Sequence, residues 1–453
     1  MNPAIQRIRE ATRGTAYEGR LYLVGGVVRD KIMGRPPTED VDIVLVGDAL
    51  ELAQFLEKKR IPEHRPVTYP RFGTAMVTIE GHTVELASAR RESYVPETRK
   101  PEVEPASLHD DILRRDFTVN ALLENLYTGE ILDLTGKGLE DIRARIMRTP
   151  TEPATTFYDD PLRMLRAVRF AVTLGFEIEP GTYEALVRDA ERLAVISRER
   201  IRDEFVKMLL SDEPARALRM LSDTGLLERF APELVEMQGV TQDGGHIYDV
   251  WEHTLRALES LAPQADLILR LAVVFHDTGK PKTRTQDSEG HTHFYGHEDL
   301  GAEIAAHVLN RLKFPKSEVM RVARLVSMHL RIGEYSDKWK DAAVKRLMRD
   351  AGDDMPDLLA LARADRAGYG PTASMKNLDE LEQRMEHILA KTPVSEMASP
   401  LDGREIMNLL NICPGPKVKE VKDFLAEEVI EGRLSPKDKD AARKLALEKF
   451  GEE

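Results

Sequence analysis

The order of apolar and polar positions changes character partway along the chain. Near the start, "RLYLVGG" (20–26) and "VDIVLVG" (41–47) are short runs of branched apolar residues closed by glycine, which predicts two buried strands. A short helix is expected between them from about Gly26, and "GTAMVTIEGHTVELAS" (73–88) reads as a hairpin turning at Glu80-Gly81. The segment "RRESYVPETRKPEVEPASLH" (90–109) is charged, contains proline and keeps no period, which predicts a mobile loop. From about residue 157 strand signals vanish, and "ERIRDEFVKMLL", "PARALRMLSDTGLL" and "DAAVKRLMRD" carry helical spacing. A break at "KTPVSEMASPLDG" (391–403) precedes a last helical module, in which "CPGPK" (413–417) starts a helix with proline and glycine. The fold class expected is α+β. It comprises an α/β head over 1–150, a helical neck over 151–240, a histidine-bearing helical domain over 241–370 and a helical tail over 371–453.

Composition narrows the function classes. A chain of 453 residues exceeds one core and suggests about two to four domains. No apolar run approaches the roughly 18 residues a membrane span needs, so no membrane partner is expected. The opening "MNPAIQRIRE" lacks the order of a secretory signal, and Cys413 has no second cysteine to pair with, so the cytoplasm is the expected compartment. The net charge of −13 excludes a broad electrostatic grip on nucleic acid and leaves room only for a local patch.

In "LVGGVVRDKIMG" a strand runs into Gly25 and Gly26 and then a helix, which leaves backbone N–H groups free for a phosphate, although two glycines also make an ordinary tight turn. "EDVDIV" sets Asp40 and Asp42 two apart on a strand, so both carboxylates leave one face of the sheet. That arrangement suits Mg²⁺, with Glu85 in the neighbouring predicted strand as a third acid.

Together "LYLVGGVVRDKIMG…EDVDIVLVG", "LRRDFTVNALL" (113–123), "DDPLRMLRAVRF" (159–170) and "SRERIRDEFVKML" (197–209) resemble the class II CCA-adding tRNA nucleotidyltransferases and related bacterial poly(A) polymerases. The resemblance runs in order over about residues 20 to 230. It implies a nucleotidyltransferase head and helical neck, CTP and ATP as substrates and a tRNA 3′ end as acceptor. By similarity Gly26 and Arg29 touch the triphosphate, Asp40 and Asp42 hold Mg²⁺, and Arg115, Asp116 and Asn120 line the nucleotide pocket.

The stretch "DDPLRMLRAVRF" carries a stripe of arginines. At about 100° per residue Leu165, Val168 and Val172 share one helix face, while Asp159, Arg163 and Arg166 lie on the other. A solvated face behind an Asp160-Pro161 N-cap is the bland reading. The chemical reading is that cytosine and adenine each offer an amino donor beside a bare ring nitrogen, whereas uracil and guanine reverse that order. Asp160 accepting from the amine and Arg163 donating to the ring nitrogen would admit CTP and ATP and reject UTP and GTP. The pair matches the family's acid-acid-x-x-Arg motif, with Asp159 in place of the usual Glu. Arg166 and Arg169 resemble the family's further nucleotide contacts, although Arg169 is rotated toward the flank, where neighbouring acids could pair with it.

Between residues 246 and 329 histidines cluster. The series His253, His276-Asp277, His297, His329, Asp365 resembles the HD phosphohydrolase superfamily over about residues 245 to 370. That resemblance implies one divalent metal, of unspecified identity, on His253, His276, Asp277 and Asp365, with His297 and His329 toward a second. Lys280 stands where it could meet a phosphate. The leading expectation is thus addition of C, C and A to tRNA by a two-metal mechanism, with a phosphohydrolase side activity. Alternatives are A-only addition, or a hydrolase with an idle RNA-binding head. By the resemblance, 90–109 matches the family's flexible loop, which the CC-only branch shortens, so CC-only addition is disfavoured, and the mixed-charge tail after residue 430 disfavours a poly(A) polymerase. The helical tail, through the helix start at Gly415, is expected to touch tRNA backbone away from the active site.

Overall fold

The two apolar runs become β1 (Leu21–Val24) and β2 (Val41–Leu45) in the computed structural model of the chain, which describes residues 2–36, 40–93, 102–243, 247–370 and 373–451. The chain divides into two compact units, Met1–Phe230 and Ala231–Glu453.

In the first unit β3 (Val67–Tyr69), β4 (Thr74–Ile79), β5 (His82–Ser88), β6 (Arg90–Ser93), β7 (Glu102–Pro105), β8 (Leu123–Asn125) and β9 (Ile131–Leu132) follow. Seven of these strands form one sheet ordered β3-β4-β5-β2-β1-β8-β9. Only β2 and β5 run parallel, joined through the helix Ala49–Lys58 and the β4 strand. A strand covered on both faces can be apolar throughout, which is why β2 is buried at every position except Asp42. The hairpin from β4 to β5 turns where expected: Glu80 and Gly81 both have positive φ, 51° and 74°, the two-residue turn whose twist matches antiparallel strands.

The expectation for 90–109 needs correcting. Among its described residues β6 and β7 pair antiparallel, from Arg90 opposite Pro105 to Ser93 opposite Glu102, and a capping box of Ser107 and Asp110 then starts the helix Leu108–Leu113. Residues 94–101 lie outside the described residues. Backbone ladders need no apolar face, so charge and proline concealed this hairpin from a periodicity reading.

The neck consists of helices Pro153–Asp159, Leu162–Leu174, Pro180–Asp189, Arg198–Leu209 and Pro214–Asp223. Phe117, fully buried, meets Phe170 of the second of these edge-on at 6.0 Å. Burial of a side chain of that size contributes about 1.5–3 kcal/mol and fixes the neck helix against the end of the sheet. The predicted absence of strands after residue 157 has small exceptions: Glu177–Ile178 pairs with Ile146–Met147, and Thr285–Gln286 with Thr292–His293. Two-residue strands are too short to leave a period.

Among its described residues the second unit has no strand beyond that last pair. Helices Val250–Glu259, His297–Arg311, Lys316–Gly333 and Met355–Gly368 carry His253, His297, His329 and Asp365, while His276 and Asp277 directly follow the end of Leu267–Phe275. Farther on, Gly403–Leu410, Pro416–Ile430 and Lys439–Phe450 enclose a core of Leu401, Ile406, Val421, Leu425 and Val429. Among the described residues no helix is long and apolar enough to cross a membrane.

Candidate active site and metal centre

A cavity of about 460 Å³ in the first unit is lined by Gly25, Gly26, Arg29, Asp40, Asp42, Arg115, Asp116, Asn120, Asp160, Arg163, Arg166, Arg169, Phe170 and Arg200, among others. It therefore brings Asp42 of β2, Asp40 immediately before that strand and not on it as expected, and the arginine-bearing helix of the neck to one space. Gly25 adopts φ 77°, a conformation that favours glycine, and a methyl group there would touch Asp42 Oδ2 at 3.5 Å. Asp42 stands in register with Val24 of β1 on one side and Glu85 of β5 on the other. Burial and then the Glu85 charge push its carboxyl up to about 6, with Asp40 adding and Arg115 and Arg166 opposing. An acidic cluster under that much mutual repulsion fits a divalent cation. Glu85 faces solvent and is not among the residues lining the cavity.

Most of the arginines are held by acids. Arg29 gives Nε and Nη2 to Asp30 (2.8 and 3.0 Å) and Nη1 to Asn120 Oδ1 (2.6 Å). Arg166 donates twice to Asp116 Oδ2, at 2.9 and 2.6 Å, while Asn120 Nδ2 donates to Asp116 Oδ1 at 3.1 Å. Burial acts to raise the Asp116 carboxyl, but Arg166, Asn120 and Arg163 together outweigh it and hold the group below its ordinary value. Arg115 pairs with Asp111 at 3.1 Å, and Arg169 donates to Glu204 at 2.5 Å while its guanidinium lies 4.0 Å from the Phe170 ring centre. The acid partner for Arg169 is thus found, although the residue still lines the cavity.

Asp160 departs from its expected place. It closes the helix Pro153–Asp159, and Pro161 is itself the N-cap of Leu162–Leu174, because a residue without an N–H can follow a helix end and open the next. Asp160 Oδ1 still accepts from Leu162 N–H at 3.1 Å, but its ion pair is to Arg200 Nη2 at 2.7 Å, not to Arg163. Arg163 instead donates to the carbonyls of Arg114 (2.6 Å) and Thr156 (3.3 Å). Asp159, expected on the arginine face, belongs to the preceding helix. Arg200 and Glu204 were missed as site residues. They sit four apart behind the Ser197 N-cap, but that stretch alternates charges and nothing in it marks which ones turn inward.

In the second unit the histidine series does converge. Ligand atoms of His253, His276 and Asp277 lie together, and so do those of Asp277, His297 and His329, with Asp277 shared. Asp365 Oδ1 approaches His253 Nε2 at 2.9 Å and His276 Nε2 at 3.6 Å. His276, His297 and His329 each donate Nδ1–H to a carbonyl three residues earlier, of Val273, Phe294 and Val326, at 2.7, 2.7 and 2.6 Å. Carbonyls only accept, so in the neutral rings Nε2 is left with a lone pair, the tautomer a metal requires. Burial disfavours charge on His276, but Asp277 and Asp365 outweigh it and hold the ring at about 10. A cation would stand in for that proton. Burial and the charge of His276 take His329 down to about 4. These donors fit one or two divalent metals. His246, the first of the clustered histidines, lies outside the described residues.

The ring of His253 packs so closely on the helix Met355–Gly368 that a methyl at Gly368 would come within 2.7 Å of its Nδ1 and 2.8 Å of its carbonyl oxygen. Gly368→Ala is therefore expected to cost about 1–3 kcal/mol and to lower the metal bound per chain. A thermal melt and metal analysis of the dialysed protein check both.

Comparison with known proteins sets this geometry among relatives. Residues 21–148 match the poly(A) polymerase head domain, 175–237 the probable RNA and SrmB-binding site of polymerase A, and 244–367 the HD domain. The chain is 41% identical over 336 residues to an A-adding tRNA nucleotidyltransferase of Deinococcus radiodurans, covering 71% of this chain and 75% of that one. It is 38% identical over 430 residues to a CC-adding tRNA nucleotidyltransferase of Thermus thermophilus, covering 92% and 91%. The crystal structure of the Bacillus stearothermophilus CCA-adding enzyme in complex with CTP superposes with a TM-score of 0.68 at 26% identity, over 99% of this chain and 98% of that one.

Proposed function

We propose, for a chain that belongs to the class II CCA-adding tRNA nucleotidyltransferase family and carries an HD domain, that its head extends tRNA 3′ ends with C, C and A from CTP and ATP. The observation that carries this reading is the single cavity shared by Asp40, Asp42, Asp160 and Arg163. Chemistry and selection need one substrate to touch both pairs at once.

In this reading Asp40 and Asp42 hold Mg²⁺, with Glu85 adding charge from the next strand. The metal supplies a more acidic attacking hydroxyl and neutralises the leaving pyrophosphate. The tRNA 3′-oxygen bonds to the α-phosphorus as pyrophosphate departs. Gly25 and Gly26 let the triphosphate approach the backbone. Arg29 spends three of its five N–H donors on Asp30 and Asn120 and keeps two for phosphate oxygens. Arg115 faces the same cavity, and Asp116 and Asn120 frame it by fixing Arg166 and Arg29. Asp160 and Arg163 read the base edge, with Arg166 and Arg169 beside them.

Relatives of both partial activities resemble this chain, so the acceptor series is decisive. A tRNA lacking its CCA, incubated with CTP, ATP or both and resolved on a sequencing gel, is expected to gain two residues with CTP and three with both. Addition of A to tRNA already ending in CC, with no C added to the tRNA lacking its CCA, would assign the A-only activity that the Deinococcus relative's name carries. Addition of two C residues and no A with both triphosphates present would assign the CC-adding activity of the Thermus relative, which the likeness of 90–109 to the family's full-length loop disfavours.

A second reading concerns the HD centre. Two ligand groups sharing Asp277, with Nε2 lone pairs turned to them, support hydrolysis of a phosphoester with a divalent metal, such as a phosphate or cyclic phosphate on an RNA end. An idle head is disfavoured by the full acid and arginine set in the cavity. A reducing cytoplasm suits a tRNA substrate and the exposed free thiol of Cys413.

A further inference from the structure

Beside the HD centre lies a side chain that no motif of the sequence singles out. Gln242, only 8% exposed, accepts at Oε1 from Lys280 Nζ at 2.6 Å. Lys280, 7% exposed, also donates to Asp277 Oδ2 at 2.7 Å, the carboxylate common to both ligand groups. An ammonium can only donate, so the amide oxygen of Gln242 must be the end facing Lys280, and its NH₂ must face elsewhere. That nitrogen, Nε2, is buried and has no hydrogen-bond partner among the described residues. An unmet buried donor costs about 1–3 kcal/mol, and such groups persist where a ligand or a water fills them. Two bonds leave Lys280 a third N–H as well. The ligand centre thus has beside it two donors, one of them cationic, with capacity to spare, and that chemistry suits an anionic phosphoryl oxygen.

We propose that Gln242 is a positioning residue of the HD centre: its Nε2 donates to a phosphoryl oxygen of the bound phosphoester, and its Oε1 aims Lys280 at the same group. The inference rests on the hydrolase reading above and deepens it. The reaction it serves is a plain hydrolysis. A water oxygen bonds to phosphorus, the phosphorus–oxygen bond to the leaving alcohol breaks, and the water's proton passes to the leaving oxygen or to solvent.

The test uses the full chain loaded in turn with Mn²⁺, Ni²⁺ and Mg²⁺. Binding of inorganic phosphate is read by titration calorimetry, hydrolysis of bis(p-nitrophenyl) phosphate by release of p-nitrophenolate, and metal content by elemental analysis. Gln242→Glu keeps an acceptor for Lys280 but replaces the donor with a charge. Gln242→Met is neutral, of similar volume, and has neither group. Both are expected to weaken phosphate binding and to raise KM for the ester by about tenfold or more, with metal content and CTP incorporation as in the parent. Unchanged phosphate affinity in Gln242→Glu overturns the inference and leaves the hydrolase reading standing. So does a fall in metal content that accounts for the whole loss, since that is a structural role. A parent protein that binds phosphate through Gln242 without cleaving the ester supports the anion site and removes the hydrolase. A parent that does neither with any of the three cations overturns both.

Discussion

Asp42→Asn is expected to cost at least about a thousandfold in CTP and ATP incorporation, a barrier increase of about 4 kcal/mol, while raising the melting temperature of the magnesium-free protein. Both effects have one origin. The Asp42 carboxyl is raised to about 6 by burial first and then by Glu85 and Asp40, so its charged form is disfavoured in the folded state. A folded pKa above the unfolded one means that the native state binds more protons between about pH 4 and 6. Stability therefore falls as pH rises through that window and stays lower above it. The neutral amide removes this cost. At pH 8 the gain should be about 1–3 kcal/mol, reduced from the full shift because Asp42 is not completely buried, and at pH 4 it should nearly disappear. Thermal melts at the two pH values in EDTA measure it. Magnesium should then raise the melting temperature of the parent more than that of the variant, because Asp42→Asn removes a charged ligand from the head while the histidine centre of the second unit is the same in both. A variant that melts below its parent at pH 8 without metal would mean that the cluster is not strained, and the argument for a cation there would lose its footing.

Much of this was legible in the chain because the signals were local. β1 and β2 announced themselves as apolar runs, the Glu80-Gly81 turn as a residue pair able to take positive φ, and the histidine series as residue types that rarely cluster for packing. What stayed hidden depended on distance. The order of the seven strands, with β2 flanked by β1 and β5, is fixed by pairings that join residues up to about a hundred positions apart, and no window of sequence contains them. The β6–β7 ladder is backed by charged contacts, such as Arg91 to Asp110 at 2.8 Å, and not by an apolar face that a periodicity would reveal. Among the arginines, helical phase put Arg163 and Arg166 on the face opposite Leu165, and both line the cavity, but it left cleft and solvent open and gave no partner for either. Asp160 chose Arg200 over Arg163 because Pro161 breaks the helix between them and turns the carboxylate toward the helix Arg198–Leu209. Gln242 carried no signal at all, since a lone glutamine in a polar stretch resembles any loop residue.

That rearranged pair yields the second large effect. Asp160→Asn is expected to lower CTP incorporation about a hundredfold while leaving UTP incorporation nearly unchanged, so that selection of C over U shrinks by two orders of magnitude. The carboxylate has about four acceptor sites; Arg200 and Leu162 N–H take part of them, and the rest stay open to an exocyclic amine without Arg200 having to leave. An asparagine can turn its NH₂ toward the keto oxygen of uracil, which the carboxylate never can. Arg163→Ala removes the donor for the ring nitrogen of both C and A. It should cost about ten- to a hundredfold for each, with a weaker loss of selection because the acceptor half of the code survives. Single-turnover kcat/KM for the four nucleoside triphosphates on one tRNA separates these outcomes. For Arg163 to act this way its guanidinium must exchange the Arg114 carbonyl, now at 2.6 Å, for the base. It would give up a bond to a neutral acceptor and gain one to another, a near-even trade that lets the side chain switch between resting and reading positions at little cost. Selection unaltered in both variants would move base reading to another part of the cavity and leave Asp160 as no more than the anchor of Arg200.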